Sequence, residues 1–477
     1  MKQLTKFILF YFFFANNLSA QTRSNPEKKI DSLFSTYNSK TAGVAVGVVK
    51  DGKLIFKKGY GTANLEYDIA ITPKTIFNVG SVSKQFTTFS IYLLEKQGKI
   101  SLDDDVRKYI PELPIYEKTI TIKHLCSHTS GLKDQWSLLT LAGWRMDDVI
   151  THEQVMKIIT KHKELNFAPG SQFKYSNSGF SLLTEIVKRV SGKSFSAFAK
   201  ENIFDPLGME NTLIYDDNEK IVKNRAYSYG SEDGLYIKRN LNSSSIGPTN
   251  VYTTVEDLSK WTANFENPKV GDADFINHFN EKSTLDNGEP AILSVRDGET
   301  IYHAKGQFTR NYKGLNLYNH TGSDAGFKSY LGRFPDNKLS IILLSNDENF
   351  ASYNAGLDIA EFYLSDQFKK RAPIAEPEKK AEEKPKYVPT KMLKDFEGQF
   401  QNTDLSSLFT LKVIDGKLTM THSRLSDVVL TEVEKDKFTG LMTFAVEVTF
   451  ERNKKGEMTG LNITNFGATK VKFIKLK

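Results

Sequence analysis

Two hairpin patterns lie far apart in this chain, and together they limit how it can fold. In the first, Val44, Val46 and Val48 alternate with small residues, Asp51-Gly52 follows, and Leu54 and Phe56 alternate with Lys53, Ile55 and Lys57. Asp-Gly between two alternating runs suits a tight hairpin turn, because both residues tolerate positive φ. In the second, residues 328–334 lead to a Pro335-Asp336-Asn337 turn, and residues 339–344 run back. Helical spacing resumes over 352–364, and the middle, roughly 85–260, reads as mainly helix and loop. Strands near both ends of a segment with helices between them predict one sheet assembled from both ends of the chain. The expected fold class is α/β (α+β), a sandwich whose middle is a helical insertion.

The pattern changes at 369–389. Lys369-Lys370-Arg371 lead into a run of Pro, Glu, Ala and Lys that contains Pro373, Pro377, Pro385 and Pro389, the composition of a solvated, stiff linker. Beyond it Phe409, Leu411 and Val413 alternate, Asp415-Gly416 turns, and Leu418 and Met420 alternate back. Phe444, Val446, Val448 and Phe450 repeat the pattern, and the chain ends on Val471, Phe473, Ile474 and Leu476. These short strands predict a small all-β domain, a barrel or curled sheet.

At the other end, Lys2 and Lys6 precede an apolar run over 7–14, and Leu18-Ser19-Ala20 offers a cleavage site, the grammar of a secretory signal. That run is shorter than the roughly 20 residues a bilayer span requires. No later stretch is long and apolar enough for a transmembrane helix. The organisation expected is a signal peptide over 1–20, a main domain over 26–368, the linker over 369–389 and a β domain over 390–477. The compartment expected is outside the cytoplasm, the periplasm first and the extracellular medium second. The basic excess, 64 Lys and Arg less 57 Asp and Glu giving +7 over 477 residues, does not predict a nucleic-acid partner. One cysteine, Cys126, allows no intrachain disulfide and no cysteine zinc site.

The chemistry concentrates in three segments. Phe77-Asn78-Val79-Gly80-Ser81-Val82-Ser83-Lys84 precedes a helical pattern of Phe86, Phe89 and Leu93 that Gly98 stops. Ser81 therefore stands at or near a helix N-terminus, with Lys84 one turn on along the same face. A serine hydroxyl needs a base to become a nucleophile. A lysine serves as that base when burial and a helix N-terminus bring its pKa down toward neutrality. The spacing alone is not specific, since Ser130 with Lys133 and Ser171 with Lys174 share it. The second segment is Tyr175-Ser176-Asn177 in a polar loop before another helical run. Here a phenol can relay protons beside a lysine, and an amide can hold a substrate carbonyl and the lysine together. The third is His320-Thr321-Gly322-Ser323, expected just before the strand at 328–334. Its Gly322 admits a close backbone approach, and its Ser323 N–H offers an oxyanion donor.

In that order these three segments resemble the penicillin-recognising serine hydrolases of the class C β-lactamase branch, a peptidase S12-like group. That branch also contains DD-carboxypeptidases, D-aminopeptidases and esterases. The resemblance runs from near Lys28 to near Ser365. Lys57-Lys58-Gly59-Tyr60-Gly61, residues 121–132 and Thr253 to Trp261 resemble the family as well. It implies an antiparallel sheet flanked by helices beside an all-α region, the β-lactamase/transpeptidase-like fold, with the active site between them. It implies Ser81 as the acylated nucleophile, Lys84 as its base and Tyr175 as base or relay. Asn177, His320, Thr321, Gly322 and Ser323 would bind substrate, with the Ser81 and Ser323 N–H groups forming the oxyanion hole. No metal and no cofactor are expected. The substrate would be a small molecule or peptide, such as a D-amino-acid peptide, a peptidoglycan fragment, a β-lactam-like amide or a small ester. The alternative is a protein that binds penicillin or cell-wall peptide with little turnover.

One departure bears on substrate. Familiar β-lactamases carry Lys where this chain has His320. A solvent-accessible histidine titrates near pH ~6.5, so carboxylate recognition is expected to weaken or to depend on pH. Of the other histidines, His124 and His128 are expected to pack and hydrogen-bond, and His152 lacks the second histidine of a zinc-protease helix.

Overall fold

The computed structural model describes residues 25–240, 242–369 and 392–477. The expected signal peptide and residues 370–389 of the expected linker lie outside them.

Eight strands form one sheet: β1 (Val44–Lys50), β2 (Lys53–Tyr60), β3 (Ile292–Arg296), β4 (Glu299–Ala304), β5 (Gln307–Tyr312), β6 (Leu315–Asp324), β7 (Phe327–Phe334) and β8 (Leu339–Ser345). Their order is β3-β4-β5-β6-β7-β8-β1-β2, and every pairing is antiparallel. The sheet is thus closed from both ends of the segment, as the two hairpins predict, with Val44 opposite Ser345 and Lys50 opposite Leu339. Alternation along β1 explains its position. Val44, Val46 and Val48 pack toward α1 (Pro26–Leu33) and α6 (Ser352–Leu364), beside Ile30, Ile359 and Leu364. Ala45 and Val49 face the other way, into a core that holds Phe86 and Phe89 of α2 (Ser83–Lys96) and Trp261 of α5 (Val255–Ala263). β2 lies at an edge, where Lys53, Lys57 and Lys58 keep it in water.

The middle of the chain supplies α2, α3 (Gln135–Leu141), α4 (Asn177–Ser191) and α5. Gly98, at φ +68°, lies just beyond α2, where the sequence places a stop. Two features differ from the sequence reading. The strands β4 and β5 carry too many polar residues for clean alternation, and β3 is exposed along its whole length. His320 to Ser323, expected just before β7, are themselves strand residues of β6. Thr321 pairs with Tyr330 and Gly322 with Ser329.

The C-terminal strands close an eight-stranded antiparallel barrel. They are β9 (Gly398–Asn402), β10 (Ser407–Ile414), β11 (Lys417–His422), β12 (Leu425–Glu434), β13 (Lys437–Leu441), β14 (Ala445–Arg452), β15 (Met458–Asn465) and β16 (Ala468–Lys475). The inward alternates, among them Phe400, Phe409, Leu411, Leu418, Val448, Ile463 and Phe473, are buried. The turn between β15 and β16 docks on the main domain. Asp134 N donates to Gly467 O at 2.9 Å. Gly467 N donates to Ser137 Oγ at 3.0 Å, and Thr469 N to Asn166 Oδ1 at 2.8 Å. Among the described residues, no helix is long and apolar enough to cross a membrane.

Candidate active site

Ser81 lies in the 3₁₀ turn Gly80–Val82 that leads straight into α2, so Lys84 occupies the first turn of that helix. Lys84 has no solvent exposure. Its Nζ lies 3.2 Å from Ser81 Oγ, 2.8 Å from Asn177 Oδ1 and 2.9 Å from the Pro248 carbonyl oxygen. Burial pulls the ammonium down to about 7, against the partial opposition of Asp134 and Asp324. A neutral amine has two hydrogens. The Asn177 and Pro248 oxygens accept both, which leaves the nitrogen lone pair for the Ser81 hydroxyl.

Asn177 begins α4 and is itself held. Its backbone N and its Nδ2 both donate to Asp134 Oδ2, at 2.7 and 2.8 Å. Asp134 caps α3 by accepting from Trp136 N at 2.9 Å. This carboxylate is absent from the sequence-derived site. The only local signal for it was its place as a helix cap, and its partner stands 43 positions further along the chain.

Tyr175 shares a side-chain hydrogen bond with Ser81, while desolvation pushes its phenol well above the ordinary tyrosine range. The Lys84 Nζ sits 4.8 Å from the Tyr175 ring centre, and His128 stacks on the same ring at 4.3 Å. His128 also accepts from Ser176 N at 3.1 Å, so it packs and bonds as expected, but directly behind the phenol.

From the sheet, β6 presses against the nucleophile turn. A Cβ on Gly322 would lie 1.9 Å from Val79 O, and one on Gly80 would lie 2.7 Å from Ser323 N. The Ser323 N–H therefore stands beside the Ser81 turn, with the Ser323 side chain accepting from Lys328 Nζ at 2.8 Å. Asp324, one residue on, accepts from Asn78 Nδ2 at 3.1 Å and from the Thr249 hydroxyl. Desolvation raises its carboxyl to about 6. Asn78 Oδ1 in turn accepts from Gly80 N at 2.8 Å, so this network ties strand, turn and the 248–250 loop together.

His320 differs from the expectation of a solvent-accessible, titrating group. It is buried, 4.8 Å from the Phe308 ring centre and 6.2 Å from that of Tyr175. Its Nδ1 donates to the Thr321 carbonyl oxygen at 2.5 Å. Burial and the nearby Lys84 hold it near 3, so it is neutral at any ordinary pH. Of the predicted residues, Ser81, Tyr175, Asn177 and Ser323 line one cleft of about 1360 Å³. Lys84, His320 and Gly322 stand behind its wall, and Thr321 lies between His320 and Gly322 on β6.

The Beta-lactamase family model matches residues 30–363. Penicillin-binding protein 4* of Bacillus subtilis is 27% identical over 394 residues, 79% of this chain and 84% of its own length. The D-aminopeptidase of Brucella anthropi is 28% identical over 316 residues, 66% of this chain and 58% of the relative. Among solved structures, the octameric penicillin-binding protein homologue from Pyrococcus abyssi superposes with a TM-score of 0.61 at 22% identity, covering 94% of this chain and 99% of that one. The matched stretch is the one that builds the sheet, the Ser81 turn and the Tyr175 loop, and we conclude that this chain is a serine hydrolase belonging to the Beta-lactamase family.

Proposed function

We propose that this protein is an exported enzyme, working in the periplasm or outside the cell, that cleaves amides or esters through an acyl-enzyme on Ser81. The observation that carries the reading is the triple contact of the buried Lys84 Nζ. With its two hydrogens engaged, the amine takes the Ser81 proton as Oγ attacks the substrate carbonyl. Tetrahedral charge then falls to the Ser81 and Ser323 N–H groups, each worth about 3 kcal/mol. Tyr175, kept as a neutral hydroxyl by desolvation, relays to the leaving group the proton that Lys84 took from Ser81, rather than acting as a phenolate base. Asn177 holds the substrate amide or ester and Lys84 together. The names of the relatives point to D-amino-acid peptides and amides or penicillin-like amides. Neutral His320 argues against a site built around a substrate carboxylate. The test is intact-protein mass spectrometry with a fluorophosphonate. One adduct per chain on the Ser81 peptide is expected, and equal labelling of Ser81→Ala overturns the reading.

A further inference from the structure

The cleft that opens on Ser81 is not walled by the main domain alone. Leu425, Val428, Leu441, Met442, Phe444 and Phe466, all from the barrel, line it too. Leu441 is 73% exposed and Phe466 58% exposed, although both are large and apolar. The Phe444 and Phe466 rings stack with centres 5.7 Å apart and planes inclined by 25°. An apolar patch open to water usually marks a binding surface, and this one continues into the cavity that holds the nucleophile. The cationic side chains at the cleft mouth are already engaged. Arg145 pairs with Asp147, Lys238 with Glu66, Arg239 with Glu348 and Arg424 with Asp148. At about 1360 Å³ the cleft also exceeds the roughly 300–1,000 Å³ of ordinary small-molecule sites. A single small amide or ester would not fill it.

The barrel wall is held in place by the same contacts that hold the catalytic groups. Phe466 adjoins Gly467, which binds the Asp134 backbone, and the Asp134 side chain fixes Asn177.

We propose that the barrel supplies an apolar subsite of the active centre, so the preferred substrate carries an extended hydrocarbon or aromatic group that reaches Leu441, Phe444 and Phe466. This rests on Ser81 being the nucleophile, and the experiment separates the two claims. Full-length protein is titrated with n-alkyl boronic acids from methyl to octyl, which add to an active-site serine whatever bond the enzyme cleaves. Acetate esters of alcohols of rising length test the leaving-group side. Affinity or kcat/KM is expected to climb by roughly fourfold per methylene in one series over the first several carbons. The octyl-to-methyl ratio is expected to fall at least tenfold in Phe444→Ala/Phe466→Ala, and in Leu441→Ser as a milder variant should the first fold poorly. Flat series with Ser81-dependent binding, or a climb that survives both variants, overturn the subsite and leave the nucleophile standing. No boronate binding and no fluorophosphonate adduct on Ser81 overturn both.

Discussion

Lys84 shows how one buried side chain sets the chemistry. Under the proposed mechanism, its pKa near 7 makes kcat/KM depend on a neutral amine. Below that midpoint the nitrogen is protonated and cannot accept the serine proton. The rate is therefore expected to rise about tenfold per pH unit toward 7 and level off above it. Lys84→Arg, charged at every pH, should lose the limb and about 10²–10⁴-fold in kcat/KM. A pH–rate profile of both proteins checks this. His320 makes the opposite prediction. Held near 3, it should show no imidazole titration by NMR between about pH 5 and 8. Ser81, Lys84, Tyr175 and Asn177 were legible because their spacing is local and repeats a known order. Asp134 and the Pro248 carbonyl were not. A helix-capping aspartate looks the same whether or not it faces a catalytic amide, and any residue can offer a backbone oxygen.

Among the elements, β6 decides whether the site assembles. The strand must lie within touching distance of the nucleophile turn, and Gly322 permits it by having no Cβ to meet Val79 O. Gly322→Ala is expected to destabilise the protein by about 1–3 kcal/mol through overpacking. It should also lower kcat more than it raises KM, because the Ser323 N–H moves off the developing oxyanion. Thermal melts and steady-state kinetics on the same preparation test both. β6 also shows where reading strands from sequence failed. His303, Gln307, Arg310, Asn319 and His320 on β4, β5 and β6 are all buried. Polar side chains at inward positions erase the apolar alternation on which strand reading rests. The hairpins at 44–60 and 328–344 were legible because their inward positions are Val, Ile and Leu.

At the scale of the whole molecule, barrel and main domain share one continuous hydrophobic core that runs from Phe86 to Phe473. The protein is expected to unfold in a single calorimetric transition, and two separated transitions would contradict a shared core. Gly467 is one of the tight points of the junction. A Cβ there would lie 2.2 Å from the Asp134 side chain. Gly467→Val should lower Tm and activity together, since Asp134 cannot yield without releasing Asn177. Assays of the variant against the fluorophosphonate check the link.

The pairing of β1 with β8 has a consequence for synthesis. Val44 leaves the ribosome early, but its partner Ser345 follows only after the helical middle and five further strands of this sheet have been made. Until then the first hairpin has no neighbour on its inner edge, and the valines of β1 have no helix α6 to cover them. A chain arrested anywhere between these strands would carry an uncovered apolar ribbon, ready to add to any free strand it met.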